Sequence, residues 1–197
     1  MRRVVPFGVA VAVACAVGAV TLVRPAAAQE GVSQPTVTEA QTRERKLAAA
    51  RAASQVRTIK RYRKQTWGWQ KLMRTPLTPT SNGNLMASDP EYRRWVLELW
   101  RKRELAARRK ARNPPRLRAW KCIQRHEGPW NDPHAPYYGG LQMDITFQRL
   151  YGAELLRRKG TADNWTPLEQ IWVAERAYRS GRGFYPWPNT ARTCGLI

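Results

Sequence analysis

The tripeptide Asn113-Pro114-Pro115 divides this chain more sharply than any other feature. Proline has no amide hydrogen and restricts the residue before it, so neither a helix nor a central strand runs through two prolines in succession. The stretches on either side differ in chemistry. Residues 36–120 carry 22 Lys and Arg against 6 Asp and Glu, a balance of +16, whereas residues 121–197 carry 10 against 7, or +3. The upstream stretch is rich in Ala, Arg, Lys and Gln, which predicts helices with few large apolar side chains. The fold class expected is α+β, mainly helical, with a basic helical and linker region at 29–115 and a small compact domain at 116–197.

Thr38 to about Met73 reads as one helix whose apolar positions are mostly alanine, too few for an isolated core. Thr75 to Asn84, with Pro76, Pro79, Asn82 and Gly83, reads as a linker. Asp89-Pro90-Glu91 then supplies an N-cap, a first-turn proline and an early acid in the order that a helix start favours. Tyr92, Trp95, Val96, Leu99 and Trp100 follow at helical spacing as one apolar stripe. That stripe is expected to pack on the first helix or on the compact domain, or to meet a wall or membrane partner.

At the N-terminus, Arg2-Arg3, an apolar run from Val4 to Val23 and Ala26-Ala-Ala28 read as an export signal over residues 1–28. A retained membrane anchor is the other reading of the run. Cys15 lies inside it, badly placed for lipid attachment. Export leaves Cys122 and Cys194 in an oxidising compartment, where one disulfide is the economical reading and two free thiols the other. Closing a loop of about 70 residues stabilises by roughly 4 kcal/mol. No metal site is expected, since the cysteines are far apart and His126 and His134 show no ligand spacing; no cofactor is expected either. An exported chain this basic is expected to meet an anionic polymer or surface rather than nucleic acid, and to act as a monomer.

In the compact domain, Leu117, Trp120, Ile123 and Gln124 share one side of a helix that ends near Glu127, stopped by Gly128-Pro129. Trp130 to Met143 reads as an irregular hairpin. Asp144 caps the next helix, to about Arg158, with Phe147, Leu150, Tyr151 and Leu155 on its buried side. Thr166-Pro167-Leu168-Glu169 is a capping box opening a helix through Tyr178, and Ser180-Gly-Arg-Gly183 ends it. The aromatic tail from Phe184 brings Cys194 back toward the first helix.

Glycoside hydrolysis needs a carboxylic acid held where its charge is disfavoured. Glu127, at a helix end between Trp120, Trp130 and the Tyr137-Tyr138 pair, is the candidate. Trp130, Tyr137, Tyr138 and Gln142 offer the flat faces and polar groups that line a sugar groove, with Gly139 and Gly140 allowing close backbone approach. Each has an ordinary reading too: Trp130 and Tyr138 as core, Gln142 as a strand residue, His126 as a helix-end cation. Asp144 reads as an N-cap, Glu169 as the capping-box acid, and Glu175 as a paired structural carboxylate. Asp132 reads as a turn residue or, less readily, a water activator.

From Trp120 to Leu196 the sequence resembles the catalytic domain of resuscitation-promoting factors, lysozyme-fold proteins that cleave actinobacterial cell walls. The resemblance is carried, in order, by the helix ending in Glu127, by Tyr137-Tyr-Gly-Gly-Leu-Gln142 and by Leu168-Glu-Gln-Ile-Trp-Val-Ala-Glu-Arg176. Gly181-x-Gly-x-x-x-Trp187-Pro188 and Cys194-Gly-Leu196 complete it. It implies a lysozyme-like fold, Glu127 as the single catalytic acid, and Trp130, Tyr138 and Gln142 in the substrate groove. Two departures stand out. The family pattern Cys-Glu-Ser-Gly-Gly-Asn-Trp is here His126-Glu-Gly-Pro-Trp130, and its Thr-Gly-Asn-Gly turn is the shorter Asp132-Pro-His-Ala-Pro136. The family cysteine stands at position 122, one helical turn before 126 on the same face, which keeps a bridge to Cys194 feasible.

The expectation is a secreted, wall-associated enzyme that cleaves peptidoglycan glycan strands by hydrolysis or by anhydro-sugar formation, its basic helices resting on anionic wall polymer. A glycan-binding module without turnover and a cationic membrane-active protein are the two other classes compatible with these residues.

Overall fold

The computed structural model describes residues 37–197. The expected export signal, with Cys15 inside it, lies outside the described residues. The fold is α+β and mainly helical, and no described helix is long and apolar enough to cross a membrane.

The first helix, α1 (Val37–Met73), runs for 37 residues, or about 55 Å at 1.5 Å per residue. Val37 to Arg51 is exposed, and Gln55 accepts from Arg93 of the third helix. A short helix, α2 (Gly83–Ser88), is capped by Asn82, and α3 (Pro90–Arg112) by Asp89, whose carboxylate accepts from the Glu91 and Tyr92 amides. Gln55 meets Arg93, the Trp67 ring stands edge-on to Trp100 at 6.3 Å, Trp69 reaches Glu104, and Met73 packs with Ala111. Both numbers of each pair rise together, so α1 and α3 run parallel.

Parallel helices need a returning connection, and the stretch expected as a linker provides it. The Trp67 indole donates to the Thr78 carbonyl at 2.8 Å, the Trp100 indole to Ser81 Oγ at 3.0 Å, and the Asn82 amide to the Tyr92 hydroxyl. Buried Arg93 joins the three helices, donating to Gln55 on α1 and to the Met86 and Ala87 carbonyls on α2. The apolar contribution is Ile59, Met86, Val96 and Trp100. The expected stripe on α3 therefore packs on the first helix, with one correction: Trp95 is 57 % exposed and lies against Tyr92 at the edge.

Beyond the Pro pair come α4 (Leu117–Glu127), the strands β1 (Tyr137–Tyr138) and β2 (Met143–Asp144), α5 (Ile145–Lys159), α6 (Pro167–Ala177) and α7 (Pro188–Thr193). The strands are antiparallel, with Tyr137 opposite Asp144 and Tyr138 opposite Met143. Asp144 caps α5 through the Phe147 amide, and Thr166 and Glu169 form the reciprocal capping box of α6. A π turn, Tyr178–Arg182, follows α6, with Gly181 at φ 96°. Trp120, Phe147, Trp165, Val173, Phe184 and Trp187 form much of the core. Leu150 does not join it: expected on the buried side of α5, it is 60 % exposed, because the buried face of α5 is the arc of Phe147, Gln148, Gly152 and Leu155 and position 150 falls on its far side. The tail returns as expected, and Cys122–Cys194 are joined in a disulfide across 72 positions.

Gly152 is held to glycine by its neighbours. A Cβ there would stand 2.5 Å from the Trp165 ring and 3.3 Å from Val173. In an ordinary helix interior Gly to Ala gains about 1 kcal/mol; overpacking against a fixed indole reverses the sign. Gly152→Ala is expected to lower stability by about 1–3 kcal/mol, measured as a lower denaturant midpoint at unchanged slope. A more stable variant would show that Trp165 is free to move.

Candidate active site

Glu127 is the last residue of α4, because the helix ends at Gly128 and Pro129 cannot continue it. The Gly128 amide closes on the Gln124 carbonyl, and Gln124 Nε2 donates to the Gly128 carbonyl at 2.9 Å. The carboxylate is half-buried. Its Oε1 accepts from the Thr190 hydroxyl at 2.7 Å. Thr190 has one hydroxyl hydrogen and also lies 3.4 Å from the Trp187 carbonyl, so the shorter contact decides where it points. A hydroxyl accepts as well as donates, and Thr190 therefore serves Glu127 whether or not the acid is protonated. Oε2 has no hydrogen-bond partner among the described residues.

Both ends of α4 are tied down. At its start, Glu175 accepts from the Arg116 amide, from Arg116 Nη2 at 2.7 Å and from the Trp120 indole at 2.7 Å. It is the paired structural carboxylate expected. Trp120 is thus fully buried and turned to Glu175 and the core rather than left free at the acid. At the other end, the disulfide fixes Cys122 to the tail that carries Thr190. The Trp187 indole then anchors that tail by donating to the Leu141 carbonyl of the hairpin turn at 2.7 Å.

The hairpin stands beside Gly128. A Cβ on Gly128 would lie 3.3 Å from Gln142 Nε2 and 3.5 Å from Asp132 Oδ2. Gln142 adopts a left-handed φ of 46°, and its Nε2 donates to Asp132 Oδ2 at 2.9 Å and to the Gly139 carbonyl at 3.0 Å. Its amino group is therefore committed within the hairpin, and only its carbonyl oxygen faces no protein donor. Tyr137 is half-exposed; Trp130 and Tyr138 are partly buried against the core. The two glycines have a different role from the one expected. A Cβ on Gly139 would meet Gln170 at 2.6 Å, and one on Gly140 would meet Gln124 and Trp130 at 2.9 Å. They admit internal side chains rather than an approaching substrate.

Gln170 and Thr190 are the two residues that the sequence reading did not single out. Gln170 is fully buried on α6. Its Oε1 accepts from the Gly140 amide, and its Nε2 donates to the carbonyls of Trp130 at 2.7 Å, Ala162 at 2.8 Å and Trp165 at 3.1 Å. One side chain thereby positions the whole hairpin against α6. The available signal was a lone amide beside the apolar run Ile171-Trp-Val-Ala174. Thr190 carried no comparable signal. The ligand atoms of Cys122, His126 and Cys194 lie within 4.8 Å of one another. The two sulfurs are joined covalently, so that cluster offers a single histidine nitrogen.

Asp132 is held as a positioning group. The His134 ring and the Gln142 amide, with the His134 backbone amide, hold its carboxyl below the ordinary value of 3.8. A carboxyl depressed on folding contributes stability that is complete above its unfolded pKa and is lost as pH falls through the folded one. The Gln142 side-chain amide resonances are therefore expected to titrate with a midpoint below 3.8, and Asp132→Asn is expected to abolish that transition in NMR spectra. A midpoint at or above the ordinary value would dissolve the clamp. No family model matches the chain, and a comparison with curated proteins finds no significant match.

Proposed function

We propose that this protein is a secreted, wall-associated glycosidase that cleaves the glycan strands of peptidoglycan, with Glu127 as its single acid and base. The observation that carries the reading is the carboxyl at the end of α4, half-buried, with Oε1 held by Thr190 and Oε2 unengaged among the described residues. The ordered resemblance from Trp120 to Leu196 supports it, as does an acid at a helix end whose next residue, Gly128, lies beside the hairpin residues Gln142 and Asp132. The disulfide agrees with an oxidising compartment. The basic α1 and α3 surfaces suit contact with anionic wall polymer, attractive and salt-sensitive.

In the proposed reaction Glu127 gives its proton to the glycosidic oxygen as the bond to the sugar carbon breaks, leaving an oxocarbenium-like centre. The acceptor oxygen, from water or from the sugar's own 6-hydroxyl, then bonds that carbon. Its proton passes to Glu127 and restores the acid. Water gives hydrolysis, and the 6-hydroxyl gives an anhydro sugar. Asp132 is occupied by Gln142 and His134, so the substrate's acetamido group is the stabiliser of the cationic centre in this reading. Trp130, Tyr137, Tyr138 and the carbonyl oxygen of Gln142 are the proposed sugar contacts.

Glu127→Gln is expected to reduce release of soluble muropeptides from purified peptidoglycan by about 100-fold or more, with pull-down on insoluble peptidoglycan retained. Thr190→Val, which keeps shape and removes the donor, is expected to cause a smaller loss. Undiminished release by Glu127→Gln would overturn the assignment. Retention on peptidoglycan with no release even by the native chain would make the protein a binding module.

A further inference from the structure

A second candidate site lies away from Glu127, where the ends of α1 and α3 meet α5 and α6. A cleft of about 750 Å³ opens there. Its floor is apolar, formed by Trp69, Leu72, Leu77 and Leu155. Six cations line it (Lys71, Arg74, Arg108, Arg112, Arg158 and Arg176) against three carboxylates (Glu104, Glu154 and Glu169). The C-termini of α1, α3 and α5 also approach. At roughly half a negative charge each, they offset only part of the excess.

The carboxylates are already engaged. Glu104 accepts from the Trp69 indole and pairs with Arg108, Glu154 pairs with Arg158, and Glu169 is held by Lys159 at 2.7 Å and by its capping box. Lys71, Arg74, Arg112 and Arg176 have no carboxylate within ion-pair distance among the described residues. Arg74 and Arg176 even share an acceptor: Arg74 Nη2 lies 3.4 Å and Arg176 Nη1 2.7 Å from the Tyr151 carbonyl. Arg176 Nε is buried with no hydrogen-bond partner. Burial first, and Arg74 next, bring the Arg176 guanidinium down to about 10. Two guanidinium groups crowded at one carbonyl form a place that an anion would relax.

We propose that this cleft binds an organic phosphate, its phosphoryl group taken by Arg74, Arg112 and Arg176 and its apolar portion laid over Trp69, Leu72 and Leu77. Planar guanidinium groups match phosphate oxygens two at a time, which single ammonium groups do not. The volume is that of a site for a small organic molecule rather than for a bare ion. The site does not depend on the reading of Glu127.

The test is calorimetric titration of the purified chain with phenyl phosphate at low ionic strength. Phenyl phosphate is expected to bind more tightly than inorganic phosphate, and added salt is expected to weaken both. The double variant Arg74→Gln/Arg112→Gln removes two exposed side chains, so an unchanged melting temperature is the control for folding. It is expected to weaken binding by about tenfold or more. Arg43→Gln/Arg51→Gln, on the exposed start of α1, and Glu127→Gln are expected to bind as the native chain does. Dihexanoylphosphatidylglycerol and glucosamine 6-phosphate then separate the sources: tighter binding of the first supports a lipid headgroup, of the second a sugar phosphate. No phenyl phosphate binding, or equal loss in the Arg43/Arg51 pair, would overturn the proposal.

Discussion

The buried carboxylate of Glu175 sets where α4 lies, and the position of Glu127 follows. Three donors reach that carboxylate from the first turns of α4: the Arg116 amide, the Arg116 guanidinium and the Trp120 indole. Arg116 in turn lies over the Tyr178 ring at 3.6 Å, so the pair is covered by an aromatic face as well. Loss of Arg116 leaves the fully buried Glu175 with Arg179 at 3.7 Å as its cation, so the cost is expected to fall below the roughly 3–5 kcal/mol of a fully buried pair. Placing the anchor at the start of α4 and the acid at its end separates the two tasks. The structural carboxylate is sealed, and the candidate catalytic one stays half-open.

The basic helical pair and the compact domain meet through main-chain carbonyls. The Trp172 indole donates to the Ala111 carbonyl at 2.7 Å and Arg176 Nη2 to the Leu72 carbonyl at 2.7 Å. Both acceptors belong to the last turns of helices, whose carbonyls lack intrahelical partners. Side chains of α6 therefore complete the ends of α1 and α3, while Met73, Ala111 and Trp172 exclude water around them. A basic segment that looked like an appendage in composition is joined to the domain by hydrogen bonds that neither part can satisfy alone.

What was legible in the sequence is what short-range chemistry dictates. Asp89, Asp144 and Thr166 mark helix starts because each side chain bonds amides two or three residues ahead. Gly128-Pro129 ends α4 for an equally local reason, and two cysteines in an expected oxidising compartment gave a single economical pairing. The rest depended on distance in three dimensions. Helical spacing put Trp95 and Leu150 on apolar faces, but the buried faces are centred elsewhere, on Arg93, Val96 and Trp100 in α3 and on Phe147, Gln148, Gly152 and Leu155 in α5. Gly139 and Gly140 looked like room for a ligand, whereas the Gln170 amide and the Trp130 ring occupy that room. Thr190 bonds an acid 63 positions away, a pairing that no local pattern encodes.

The exposed start of α1 has a mechanical consequence. Fifteen residues, Val37 to Arg51, are exposed, a length of about 22 Å. A helical stretch without a packed face opens at little more than its own helix–coil free energy. The protein therefore displays its positive charge in two mechanical grades. Along α3 the cations ride on a rigid, packed helix and hold fixed spacings. On the start of α1 they ride on exposed helical turns, where side-chain spacing is set by the helix alone.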